Sequence, residues 1–100
     1  MKEIFQNLHL FFNKNLPVTR GIYAGEKGQF GGEFLIFIKN TSKDMYSFLC
    51  LPKMTKHELS LDQFNTLYKN KEIVLLEKLP VGIFKACLDQ YNFIVDKRNK

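Results

Sequence analysis

One hundred residues with 45% apolar and 14% aromatic side chains are enough for one domain, spanning 1–100, with a modest core of its own, and too apolar for a disordered chain. No apolar run approaches the length of about eighteen residues that spans a bilayer. The net charge of +5 excludes an acidic mimic of nucleic acid and admits anionic partners.

In chain order, the first predicted element is a helix over 3–15. Ile4, Phe5, Leu8, Phe11 and Phe12 recur at three- and four-residue spacing and share a face, with Glu3, Gln6, Asn7, Asn13 and Lys14 opposite. Leu16 precedes Pro17, which disfavours helical dihedrals there and ends the helix. This opening stretch is amphipathic and has no small-residue cleavage site, so no signal peptide is expected and the location expected is cytoplasmic. A strand is predicted over 18–24. Five of the six glycines then fall between Gly21 and Gly32, and read as a hairpin whose loop needs positive φ.

The hairpin feeds a central strand over 33–39. Phe34, Ile36 and Ile38 lie on one face and Leu35 and Phe37 on the other, so both faces are expected to be covered. Asn40 to Asp44 is turn material, and a third strand over 45–51 ends at Pro52. Ser60 with Gln63 forms a capping box for a second helix, with Leu59 and Phe64 as its hydrophobic staple. Thr55 with Glu58 offers a competing box one turn earlier. Residues 72–77 fit either a short fourth strand or a helical turn. A last helix runs from about 80 to 96, with Pro80 in its first turn and Ile83, Phe84, Cys87, Leu88, Tyr91, Ile94 and Val95 on one stripe. The expected fold is α+β: an N-terminal helix, a three-stranded antiparallel sheet with a possible short fourth strand, and two C-terminal helices.

Catalytic chemistry has little to stand on. Only His9 and His57 supply imidazoles, and His57-Glu58 lacks the second histidine of a zinc-protease motif. Cys50 and Cys87 are far apart and each sits in an apolar pattern, the setting of free thiols. There is no CxxC, so no metal and no cofactor are expected, and no enzyme. Gly25-Glu26-Lys27-Gly28 is a GxxG enclosing a lysine, but it joins two strands where a KH loop joins two helices.

Contact chemistry has more. Tyr23, Leu35, Phe37, Tyr46 and Phe48 fall on a common side of the expected sheet, which is either an open partner face or core under a helix. The candidate partner-binding residues are Tyr23, Lys27, Tyr46, Lys53 and Lys56. The α-β-β-β-α opening is similar in element order to double-stranded-RNA-binding domains. That resemblance implies a lysine cluster at the start of the second helix, a place that only Lys53 and Lys56 approach here, with His57 and Glu58 following. For nucleic acid the candidates are Lys27, Lys53, Lys56, Lys97, Arg98 and Lys100. The whole order is also similar to some small anti-CRISPR proteins, which are acidic where this chain is basic. Thirteen lysines and eight asparagines suggest an AT-rich coding sequence, as in low-GC bacteria and their phages. The function expected is a small binding or regulatory protein, possibly phage-encoded, that docks on and modulates or inhibits a macromolecule. A protein is the first partner, and a basic nucleic-acid-binding module is the alternative.

Overall fold

A computed structural model describes residues 16–98. The helix expected over 3–15 lies outside them. The elements are β1 (Gly21–Gly25), a 3-10 turn (Gly28–Phe30), β2 (Phe34–Ser42), β3 (Met45–Leu51), β4 (Thr55–Ser60), α1 (Leu61–Lys69), β5 (Ile73–Lys78) and α2 (Val81–Arg98). The strands form one sheet in the order β4-β3-β2-β1-β5, antiparallel at each pairing. The expected N-terminal helix and three-stranded sheet followed by two helices is therefore overturned. Among the described residues the chain has five strands and two helices, strands come first, and β5 separates the helices.

The two added strands are the two edges, and each has a physical reason. Thr55–Ser60 carries a single large aliphatic residue, Leu59, so its alternation is nearly silent in hydropathy. It is a strand because a tight turn over residues 52–54, with Met54 at φ 56°, returns the chain beside β3 and pairs Cys50 with Thr55 through to Met45 with Ser60. The Thr55–Glu58 capping box is consequently absent, and both residues lie in β4. Residues 72–77, open between strand and helix, resolve into β5, which pairs with β1 from Gly25↔Ile73 to Gly21↔Lys78. A bulge there leaves Leu76 as an extra residue opposite the Ile22–Tyr23 step.

The central strand behaves as its unbroken apolar run implies. Leu35 and Phe37 join one core cluster, and Ile36 and Ile38 join another across the sheet. On the first face lie Tyr23, Phe30, Phe48, Cys50 and Leu59, covered by Phe64 and Leu67 of α1. The Phe64 ring stacks on Phe48 at 5.9 Å and meets Tyr23 edge-on at 5.3 Å, which pins α1 across the strands. On the second face α2 lays down Phe84, Cys87, Leu88, Tyr91, Ile94 and Val95. Ile83, expected on that stripe, instead points outward and is exposed.

Local signals fix the joints. Ser60 Oγ accepts from Gln63 N–H at 3.1 Å, and Gln63 Oε1 accepts from Ser60 N–H at 2.8 Å, so the capping box starts α1 where the sequence places it. Leu59 and Phe64 are buried in the same cluster, as a staple requires. Gly25 is needed for close approach: a Cβ there would collide with the Phe30 carbonyl. Gly28 has φ 72°, and its missing side chain leaves room for the Glu72 carboxylate.

Candidate functional site

The helix α1 crosses from the β4 edge to the β5 edge, and each of its ends leaves a groove beside an edge strand. At the start of α1 the groove has a volume of about 370 Å³. One wall is β4, with His57, Glu58 and Leu59. The other is α1, with Asp62, Gln63, Thr66 and Leu67, and Gln29 of the β1–β2 loop closes one end.

Strand geometry says what that β4 wall is made of. His57 pairs with Phe48 and Leu59 with Tyr46, so both point to the α1 face. Glu58 alternates to the opposite face, where its carboxylate meets Lys56 Nζ at 3.0 Å. A groove that touches both alternations of one strand runs along that strand's edge. No described strand pairs with that edge. The floor is apolar, from the buried side chains of Leu59 and Leu67. The rim is polar and includes the Thr66 hydroxyl, which donates to the Asp62 carbonyl at 2.9 Å.

The β1–β2 loop reaches this site through Phe30. Its ring is buried and stands edge-on to the His57 imidazole, with centroids 5.2 Å apart. That contact brings the loop carrying Lys27 to the strand carrying Lys56 and the turn carrying Lys53. Lys27 and Lys53 are exposed, and Lys56 is held by Glu58. Lys27 and Lys56 thus belong to segments that frame the groove, Lys56 itself pointing to the opposite face of the sheet, whereas the turn carrying Lys53 does not line it.

The two tyrosines go elsewhere. Tyr23 is 1% exposed, and its hydroxyl accepts the Val18 N–H at 2.9 Å. Burial pushes the phenol pKa up; the Val18 hydrogen bond opposes this, and the nearby Tyr68 adds to it. Tyr46 is half-buried with its ring 5.8 Å from Phe37. The sheet face they share with Leu35, Phe37 and Phe48 is core beneath α1, so neither ring offers itself to a partner as a free surface. Of the remaining nucleic-acid candidates, the side chains of Lys97 and Arg98 and all of Lys100 lie outside what the structure describes.

Groups with reactive potential are kept apart. Burial, with a smaller contribution from Glu33, pushes the Cys50 thiol up to about 12. Burial also raises Cys87, which lies on the opposite face of the sheet. Among the described residues no three His, Cys, Asp or Glu side chains gather closely enough to hold a metal ion, and no helix is long and apolar enough to cross a membrane.

The residues missed from the sequence are Gln29, Asp62, Gln63 and Thr66, with His57 noted only as a possible base. One signal pointed to them: Thr55, His57 and Leu59 alternate directly after a proline-led turn, the mark of a returning strand. Comparison with protein-family models, with curated proteins and with solved structures finds no match to this chain.

Proposed function

We propose that this chain is a non-catalytic binding protein that docks on a protein partner by holding an extended segment of it along β4, in the groove between that strand and α1. The open groove beside an edge strand carries the proposal. A strand with one unpaired side offers backbone N–H and C=O groups to any extended chain, and the groove beside it takes alternate side chains. Leu59 and Leu67 suit an apolar side chain, and the carboxamides of Gln29 and Gln63 with the Thr66 hydroxyl fix its neighbours. Cys50 is buried in the core, Cys87 stands half-buried on the other face of the sheet, and His57 is packed against Phe30, so the site is equipped for contact. Occupying the segment it captures is how so small a domain modulates or blocks its partner.

The test is selection from a random peptide library on the folded protein, followed by calorimetry and amide hydrogen exchange with the selected peptide. Binding is expected to slow exchange over residues 55–60. Thr66→Lys, an exposed position that fills the groove without touching the core, is expected to weaken it about tenfold or more. Exchange protection that maps elsewhere sinks the proposal. The nucleic-acid alternative, resting on Lys27, Lys53 and Lys56, has its own signature: duplex binding whose log K falls with log salt at a slope of about −4 to −5 for about five neutralised phosphates.

A further inference from the structure

The ladder between β3 and β4 fixes which backbone groups the open side of β4 presents. Leu61 N–H donates to the Asp44 carbonyl at 2.9 Å, one step beyond the Met45–Ser60 pair. Ser60 N–H turns away from β3 and donates to Gln63 Oε1 at 2.8 Å. In an antiparallel ladder, opposed residues alternate between pairs that exchange hydrogen bonds and pairs that do not. Counting back from Ser60, Leu59, His57 and Thr55 bond to β3 opposite Tyr46, Phe48 and Cys50, and Glu58 and Lys56 do not. The N–H and C=O groups of Glu58 and Lys56 therefore face the open side, while the α1 cap already engages the N–H of Ser60. An incoming strand finds these two residues to bond, with His57 between them.

That spacing decides where the side chains of the captured segment go. A residue opposite His57 shares its face and enters the groove over Leu59 and Leu67. Its two neighbours, opposite Glu58 and Lys56, lie on the other face, beside the 3.0 Å ion pair that those two side chains form. We propose that the β4 groove selects an antiparallel segment that reads basic, apolar, acidic from its N- to its C-terminus, an inference that rests on the peptide capture described above. Antiparallel pairing is the stronger per residue and continues a sheet that is antiparallel at each pairing. It sets the first residue of the three against Glu58 and the third against Lys56. A lysine or arginine then meets the carboxylate and an aspartate or glutamate meets the ammonium, so the charges alternate around the ion pair. The reverse order sets like charge against like at both positions. Between them, the apolar side chain stands in a pair without ladder bonds, where opposed side chains approach most closely.

Titration of the full chain with short, terminally blocked peptides centred on Lys-Leu-Glu and on Glu-Leu-Lys tests this. The first is expected to bind about tenfold more tightly at low salt, with the gap narrowing as salt rises. Exchanging the two charges, Lys56→Glu with Glu58→Lys, keeps an ion pair within β4 and is expected to invert the preference. Residue-resolved amide exchange with the first peptide is expected to slow at Lys56 and Glu58, whereas His57 and Leu59, already bonded to β3, change little. Equal affinity for the two peptides overturns this inference and leaves peptide capture standing. So does a preference that the charge exchange leaves in place, or protection that falls on His57 and Leu59 instead. Failure of both peptides to bind overturns the capture reading and this inference together.

Discussion

The β4 and β5 edges close the same sheet, flank the same helix and differ in nearly every other respect. β4 is regular along its whole pairing with β3, and it carries the ion pair Lys56–Glu58 on one face and His57 on the other. β5 is bulged, with four aliphatic residues in succession, Ile73, Val74, Leu75 and Leu76. The first borders a groove with a polar rim, and the second a groove walled mainly by apolar side chains. What they share is α1, whose buried residues Phe64 and Leu67 fasten the helix between them. The difference teaches that an edge strand's chemistry is set by the residues around its unpaired side, since backbone supply is equal at both.

Phe64→Ala is expected to break both edges at once. It removes the ring stacked between Phe48 and Tyr68 and should cost about 3–5 kcal/mol in denaturant unfolding, with amide exchange quickened along β4 and β5 together. If exchange quickens along one strand and not the other, the two edges do not share a foundation.

Alkaline pH probes the β4 side more gently. The Cys50 thiol ionises near its ordinary 9.0 in the unfolded chain and at about 12 in the fold. Above pH 9 the unfolded state therefore releases a proton that the folded state retains. Stability is unaffected below pH 9, falls as pH rises above it, and this contribution is lost by about pH 12. Tyr23, beside β5 and also raised, acts in the same direction. Cys50→Ala should flatten the decline, measured by thermal melts across that range, and leave the Tyr23 portion in place.

Ser60→Ala acts on the β4 groove alone. Losing the cap should cost about 1 kcal/mol and loosen the first turn of α1, where Asp62 and Gln63 stand, with amide exchange along β5 unchanged. Smallest of all is Lys56→Gln. Its ion pair with Glu58 is partly exposed, so it should change stability by less than about 1 kcal/mol, readable as a small shift of the denaturant midpoint that shrinks in salt.

The contrast between centre and edge also explains what could be read in advance. β2 and β3 announce themselves because both of their faces are buried, and burial is what hydropathy records. The cap of α1 was legible at Ser60 because its two reciprocal bonds are local. Thr55–Ser60 and 72–77 were not, since an edge strand is held largely by its neighbour's backbone and needs few apolar side chains. The candidate site suffered with them. Lys27 and Lys56 lie on two of the segments around the groove, and Lys53 does not. The groove itself needs β4 to exist, and so do the roles of Asp62, Gln63 and Thr66. Tyr23 and Tyr46 were placed on the right face, but α1 folds over that face. Two buried hydroxyls, Ser47 Oγ and Thr55 Oγ1, have no hydrogen-bond partner among the described residues, and nothing in the structure explains why serine stands at 47.

The five strands also act as a wall between sulfur atoms. Cys50 is sealed on one side, and half-buried Cys87 stands on the other. Oxidation in air thus has no intramolecular route, and any covalent species of doubled mass on a non-reducing gel arises through Cys87 of two molecules. Cys87→Ser is accordingly expected to abolish that species.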